Sequence, residues 1–174
     1  MRYFKKMIGE RIYLSPLNPD DAEVCLKWLN DPELAEYTLV YRKAYSFANE
    51  RQALERMSTE HNYAIVLSEG DVYIGNLSLM GMNHIDRCAS LGITIGEPEH
   101  RGKGYGAEAI HLIVDYAFGT LNLHSVELGV LATNERAIAC YKKCGFVEYG
   151  RLKEGRYIKG RYVDEVLMQI ISDR

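Results

Sequence analysis

The apolar residues of this chain switch between two periods, and the switches divide it into elements. Ile110, Ile113, Val114, Ala117, Phe118 and Leu121 repeat at helical spacing, one buried stripe, with Glu108, His111 and Asp115 on the opposite face. Before it, Arg11 to Leu14 reads as a short first strand, and Asn18-Pro19-Asp20-Asp21 supplies a helix start: a cap, a proline in the first turn, and carboxylates against the dipole. That helix is predicted to end near Asn30. Asp31 to Tyr45, with Pro32, Glu33, Glu36, Tyr37 and Tyr41, reads as an irregular segment, either lining a pocket or simply solvated. A second helix is predicted from about Phe47 to Glu60.

From Tyr63 the period becomes two. Tyr63, Ile65 and Leu67 alternate with Ala64, Val66 and Ser68, and Glu69-Gly70-Asp71 turns into a strand from Val72 to Met80. Arg87 to Gly96 is a further strand, with Leu91, Ile93 and Ile95 on one face and the small Ser90, Gly92 and Thr94 on the other. A ligand chain lying against the backbone and a close-packed helix both explain that small face. His124 to Leu131 alternates again, and a right-handed crossover would set it parallel to Arg87–Gly96. Thr133 or Asn134 caps a last helix, Glu135 to Lys143, closed by Gly145; Phe146 to Arg151 and Tyr162 to Ile170 then pair across a Lys159-Gly160 turn. The fold class is therefore α/β (α+β), a mixed, mostly antiparallel sheet with a central parallel pair, flanked by helices.

Composition narrows the classes. A chain of 174 residues fits one domain, residues 1–174, with a real core. Lys plus Arg is 21 against Asp plus Glu 24, a formal charge of −3, which argues against a protein whose main work is holding nucleic acid. Cys25, Cys88, Cys140 and Cys144 contain no C-x-x-C pair, and Met1 to Ile8 is too short and polar for a signal peptide, so a reduced, cytoplasmic protein is expected. No apolar run approaches the ~20 residues of a membrane helix. His61, His84, His111 and His124 lack ligand spacing, and Cys140 with Cys144 makes a poor metal site, so no metal is expected.

The candidate chemistry sits where the strand ending at Gly96 gives way to the helix. Arg101-Gly102-Lys103-Gly104-Tyr105-Gly106 places three glycines alternately at a helix start, where orphan N–H groups, the dipole and the charges of Arg101 and Lys103 favour phosphate. A Walker A loop does not fit, because Gly96 and Gly102 are one residue too far apart and Gly104 follows Lys103. A dinucleotide fingerprint can be traced through Gly104, Gly106 and Ala109 toward Glu127, but Pro98 and polar residues separate it from the preceding strand.

Arginine, two residues, glycine, one residue, glycine at a helix start resembles the acyl-CoA signature of the GNAT superfamily of N-acetyltransferases. The segment N-E-x-A-I-x-x-Y-x-K-x-G-F from Asn134 to Phe146 is similar to the one with which these enzymes complete their coenzyme site. The D-A-E-x-x-x-x-W-L-N-D-P-E run ending at Glu33 resembles the branch that acetylates protein N-termini, including those of ribosomal proteins. Gly75-Asn76-Leu77 and Leu121 to His124 resemble spermidine acetyltransferases. The resemblance implies a single-domain GNAT fold whose parallel pair splays at the acyl-CoA site. It also implies acetyl-CoA as co-substrate and an amine acceptor, whether a protein N-terminus, a polyamine or another small amine; a homodimer is the common assembly.

By the same resemblance, backbone groups of Ile93, Thr94 and Ile95 hold the pantetheine arm. Arg101, Gly102, Lys103, Gly104, Tyr105 and Gly106 hold pyrophosphate, and Asn134 contacts the coenzyme. Tyr141 protonates the departing thiolate; by spacing alone it is a core tyrosine beside Ala137 and Ile138. Many relatives carry Glu where this chain has Ser90, which cannot take a proton at neutral pH. If deprotonation of the amine needs help, a water on Ser90, a carboxylate between Asp31 and Glu36, or Glu127 could supply it, and Glu127 is the expected base. An acyl-CoA sensor without transfer activity and a nicotinamide oxidoreductase are the rival classes. Acceptor choice is expected in Asp31–Tyr45 and Lys153–Arg161, and the acidity of the first leans toward a cationic acceptor.

Overall fold

The computed structural model describes residues 2–38 and 45–173. In chain order the elements are β1 (Met7–Ile8), β2 (Ile12–Pro16), α1 (Ala22–Leu29), α2 (Pro32–Thr38), α3 (Phe47–Met57), β3 (Asn62–Leu67), β4 (Val72–Asn83), β5 (Cys88–Ile95), α4 (Tyr105–Gly119), β6 (Ser125–Leu131), α5 (Glu135–Lys143), β7 (Val147–Ile158) and β8 (Arg161–Ile171). The strands hydrogen-bond in the order β1-β2-β3-β4-β5-β6-β8-β7. β5 and β6 are parallel, whereas β1–β2, β2–β3, β3–β4, β6–β8 and β7–β8 are antiparallel. This is the mixed sheet expected from the alternation of periods. Two compact units emerge, residues 1–78 with 93–112, and residues 79–92 with 113–174.

In the first unit, Tyr13, Ala64 and Val66 from β2 and β3 meet Ala22, Cys25 and Trp28 of α1 and Leu54 of α3 in one buried cluster. Ile12, Leu14 and Ile65, on the other face of the same strands, are also fully buried. β3 is thus covered on both sides, which is why its sequence is continuously apolar rather than strictly alternating. Asn18 does cap, but it caps a single 3-10 turn, Pro19–Asp21, before α1 begins. The β3–β4 turn carries positive φ at Gly70 and Asp71, as a tight hairpin demands.

One expectation for this unit is corrected. Asp31–Tyr45 is not irregular throughout: α2 occupies Pro32–Thr38, with Asp31 Oδ1 accepting from the Glu33 N–H at 2.9 Å. Asp-Pro-Glu is a helix start, and it repeats the logic of Asn18-Pro19-Asp20. Tyr41 and the rest of residues 39–44 lie outside the described residues. Glu108, on the face of its helix opposite the buried stripe, takes the N–H groups of Arg11 and Ile12 at 2.8 and 3.2 Å and fixes the start of β2.

In the second unit, β6 alternates as expected: Val126, Leu128 and Val130 are buried, whereas Glu127 and Gly129 are exposed. Asn134 is the cap of α5, and Gly145 follows that helix with φ of +91°. Lys159 and Gly160, both at positive φ, turn β7 into β8. β7 is much longer than the stretch to Arg151 read from sequence, so Lys153–Arg161 is mostly strand rather than an acceptor loop. Most of its residues are exposed, an edge strand without the apolar period that reveals half-buried ones.

Candidate active site

β5 leads through a turn at Pro98–His100 into the loop Arg101–Gly104, and α4 starts at Tyr105. Gly102 and Gly104 hold φ at +75° and +88°, where other residues are strained, and nothing lies within 4 Å of a Cβ built at Gly102. The first-turn N–H groups of a helix have no intrahelical partner. Among the described residues those of Gly102, Lys103, Gly104, Tyr105 and Gly106 find no other acceptor. An exposed run of free N–H groups at a helix start, with the exposed Lys103 beside it, is built to take an anion.

Arg101, expected at the pyrophosphate, is engaged with protein groups. Its side chain is only 6% exposed, paired with Asp31 at 2.8 Å and Glu33 at 3.2 Å. It also donates to the carbonyls of Ile95 at 3.2 Å and Gly96 at 2.6 Å. Two carboxylates already neutralise this guanidinium, and it ties the loop to the start of α2. Hydrogen bonding from Arg101 holds the Asp31 carboxyl below its usual range. A second tie runs from Glu97 to Lys27 at 2.9 Å and to the Trp28 indole N–H at 3.0 Å. Burial pushes Glu97 up, but these two donors outweigh it and its pKa lies below the ordinary value. The Trp28 ring lies against Gly96 where any Cβ would sit.

Upstream of the loop, the C-terminal half of β5 carries Ile93, Thr94 and Ile95. The Thr94 carbonyl lies so close to Gly75 of β4 that a side chain there would collide with it. Next to Gly75 the β3–β4 pairing jumps from Ile65–Gly75 to Val66–Tyr73, a bulge. Gly96 N–H donates to the Ile74 carbonyl at 2.8 Å and completes the attachment.

Arg11 lies along this loop, a placement that the sequence did not reveal. Its Nη1 donates to the Lys103 carbonyl at 2.9 Å, its Nε bonds Glu108 at 3.0 Å, and its guanidinium carbon stands 4.8 Å from the Tyr105 ring centroid. Glu108, despite the upward push of burial, lies below its usual pKa because Arg11 and Ile12 donate to it.

The remaining candidates belong to the second unit. β5 and β6 are in register at Cys88–Ser125, Ala89–Val126 and Ser90–Glu127; beyond that pair β5 continues to Ile95 and β6 to Leu131. Partners in a parallel ladder share a face, so Ser90 and Glu127 project side by side. The Tyr149 hydroxyl donates to Glu127 at 3.3 Å, from the point where β7 register shifts between Glu148 and Gly150. Burial and the Glu127 charge push that hydroxyl up. Asn134 spends its carbonyl oxygen on the Ala137 N–H at 3.2 Å.

Tyr141 is 8% exposed, with its ring centroid 6.0 Å from that of Phe146. Burial, then the neighbouring Cys140 and Cys144, push its hydroxyl up to about 12, so it keeps its proton at neutral pH. A hydrogen bond with Cys144 lowers the Cys140 thiol and raises that of Cys144. Cys140 and Cys144 thus interact with one another, and neither is in a disulfide.

Comparison with known proteins agrees with this architecture. Residues 11–147 match the family model described as Acetyltransferase (GNAT) domain. A spermidine N(1)-acetyltransferase of Vibrio cholerae is 43% identical over 101 residues, which span 58% of this chain and 58% of that enzyme. The crystal structure of spermidine N-acetyltransferase from Vibrio cholerae in complex with CoA and spermine superposes with a TM-score of 0.81 at 30% identity, over 94% of this chain and 96% of that one. A GNAT-family acetyltransferase from Bacillus anthracis shares the fold, with a TM-score of 0.85 at 17% identity over 97% of this chain and 99% of its own.

Proposed function

We propose, from the premise that this chain belongs to the GNAT acetyltransferase family, that it transfers the acetyl group of acetyl-CoA to a primary amine by direct attack on the thioester, as one N-acetyltransferase domain over residues 1–174. The observation that carries the reading is the open N–H run at Gly102–Gly106, a phosphate seat at a helix start. Gly102, Lys103, Gly104, Tyr105 and Gly106 hold the pyrophosphate, Ile93 to Ile95 lie along the pantetheine arm, and Asn134 contacts the coenzyme.

Transfer requires a neutral amine, a stabilised oxyanion and a proton for the thiolate. Tyr141 supplies the proton: burial keeps its phenol protonated at neutral pH, so a proton is in place for the departing thiolate. Glu127 takes the amine proton, directly or through a water on its neighbour Ser90. The acceptor is a protein N-terminus or a small amine. A polyamine is favoured as the second reading by the 30% identity to the spermidine enzyme bound to CoA and spermine. Four cysteines, none of them in a disulfide among the described residues, suit a cytoplasmic protein.

The test is a thermal shift with acetyl-CoA, coenzyme A, NAD and ATP in parallel. A ligand at 100 times its dissociation constant contributes ~2.7 kcal/mol, roughly 5 to 10 °C for a domain of this size. Only the coenzyme A ligands are expected to shift the midpoint. A shift with NAD, or with none, removes the reading; strong binding without transfer to any amine indicates a sensor.

A further inference from the structure

We infer that Arg11, a residue outside the glycine-rich signature, is the arginine that contacts the phosphates of the coenzyme; this rests on the coenzyme reading above. Two arginines approach the loop, and their surroundings differ. Arg101 is 6% exposed and shared between two carboxylates, whereas the Arg11 side chain is 47% exposed and has one, Glu108. Arg11 lies along the loop itself: Nη1 bonds the Lys103 carbonyl, the guanidinium stands over Tyr105, and Nη2 comes within 3.1 Å of a Cβ built on Gly104. Among the described residues Nη2 has no acceptor, so its hydrogens remain beside the N–H groups of Gly102–Gly106.

The placement of the guanidinium is itself fixed. Glu108 on the first turn of α4 grips the Nε and, through the N–H groups of Arg11 and Ile12, the backbone of the same strand. Gly9 is compatible with this grip, since a Cβ there would stand 2.5 Å from Glu108 Oε1. An oriented fork carrying donors at a helix start recognises phosphate oxygen better than a mobile lysine does. Either the pyrophosphate or the 3′-phosphate of the coenzyme presents that oxygen.

Calorimetric titration of the full chain with CoA and with 3′-dephospho-CoA tests the assignment, using wild type, Arg11→Gln and Arg11→Lys. In both variants the backbone N–H groups still reach Glu108, so β2 stays docked, and unchanged circular dichroism verifies it. Arg11→Gln is expected to weaken CoA about tenfold, and Arg11→Lys, which keeps the charge but loses the fork, to recover part of that loss. Equal loss with both ligands assigns the contact to pyrophosphate; loss confined to CoA assigns it to the 3′-phosphate. Binding by Arg11→Gln as tight as wild type, or no recovery in Arg11→Lys, overturns the proposal, the latter because Arg11 would then only brace the loop through Lys103. Wild type that binds neither ligand overturns the coenzyme reading itself.

Discussion

Replacing Arg101 with methionine separates the two possible duties of the signature arginine. The guanidinium holds Asp31, Glu33 and the carbonyls of Ile95 and Gly96. Glu33 is 60% exposed and contributes little, about 0–1 kcal/mol. Asp31 is 22% exposed and can be partly rehydrated, so its loss costs about 2 kcal/mol, less than the ~3–5 of a fully buried pair. The two carbonyls lose about 1 kcal/mol each at most. Methionine retains most of the packing, so Arg101→Met should lower the stability of the ligand-free protein by about 3 kcal/mol, on the order of 10 °C in the unfolding midpoint. The assay is urea and thermal unfolding without coenzyme, followed by calorimetric titration with CoA. A variant within about 0.5 kcal/mol of wild-type stability that has lost CoA affinity by more than about tenfold would refute the reasoning, because the arginine would then serve the ligand and not the loop.

Tyr141→Phe should cut turnover by about 100-fold or more while leaving CoA affinity and unfolding within error; normal turnover makes the tyrosine structural. Glu127→Gln should alter the pH–rate profile, and an unchanged profile removes Glu127 as the base. Asp31, Glu97 and Glu108 all have depressed pKa values, so each adds stability that is present above the ordinary carboxylate range near pH ~4 and is lost as pH falls through the folded value. Acid unfolding should therefore be shallower for Asp31→Asn than for wild type, read by denaturation midpoints below about pH 5. Gly96→Ala should destabilise by more than about 2 kcal/mol, because its methyl meets the Trp28 ring; wild-type stability would show that the ring moves aside freely.

Much of this molecule was legible wherever a local rule decides a local outcome. The Asn134 cap, the left-handed Gly145, the hairpin turns at Gly70–Asp71 and Lys159–Gly160, and the stripe through Ile110, Ile113 and Val114 all depend on a few adjacent residues. The parallel placement of β6 beside β5 followed from chain handedness. What escaped was the direction in which charged side chains turn. The signature gives Arg101 a position, not an orientation, and its partners Asp31 and Glu33 lie 70 and 68 residues earlier. Arg11 is 97 residues from Glu108, so no spacing rule connects them. α2 was missed although Asp31-Pro32-Glu33 carries a start signal, because the tyrosine-rich stretch after it masked the short apolar face of Leu34 and Ala35. β7 was cut short because a mostly exposed edge strand has no hydrophobic period to read.

The most direct test of the central claim is thiol release from acetyl-CoA by the purified protein in the presence of an amine panel containing spermidine, an unblocked peptide and a simple primary amine, with products identified by mass. The account expects release that depends on one class of amine and gives a product heavier by one acetyl group. Tight binding of acetyl-CoA with no amine-dependent release, and no acetylated product, would contradict it.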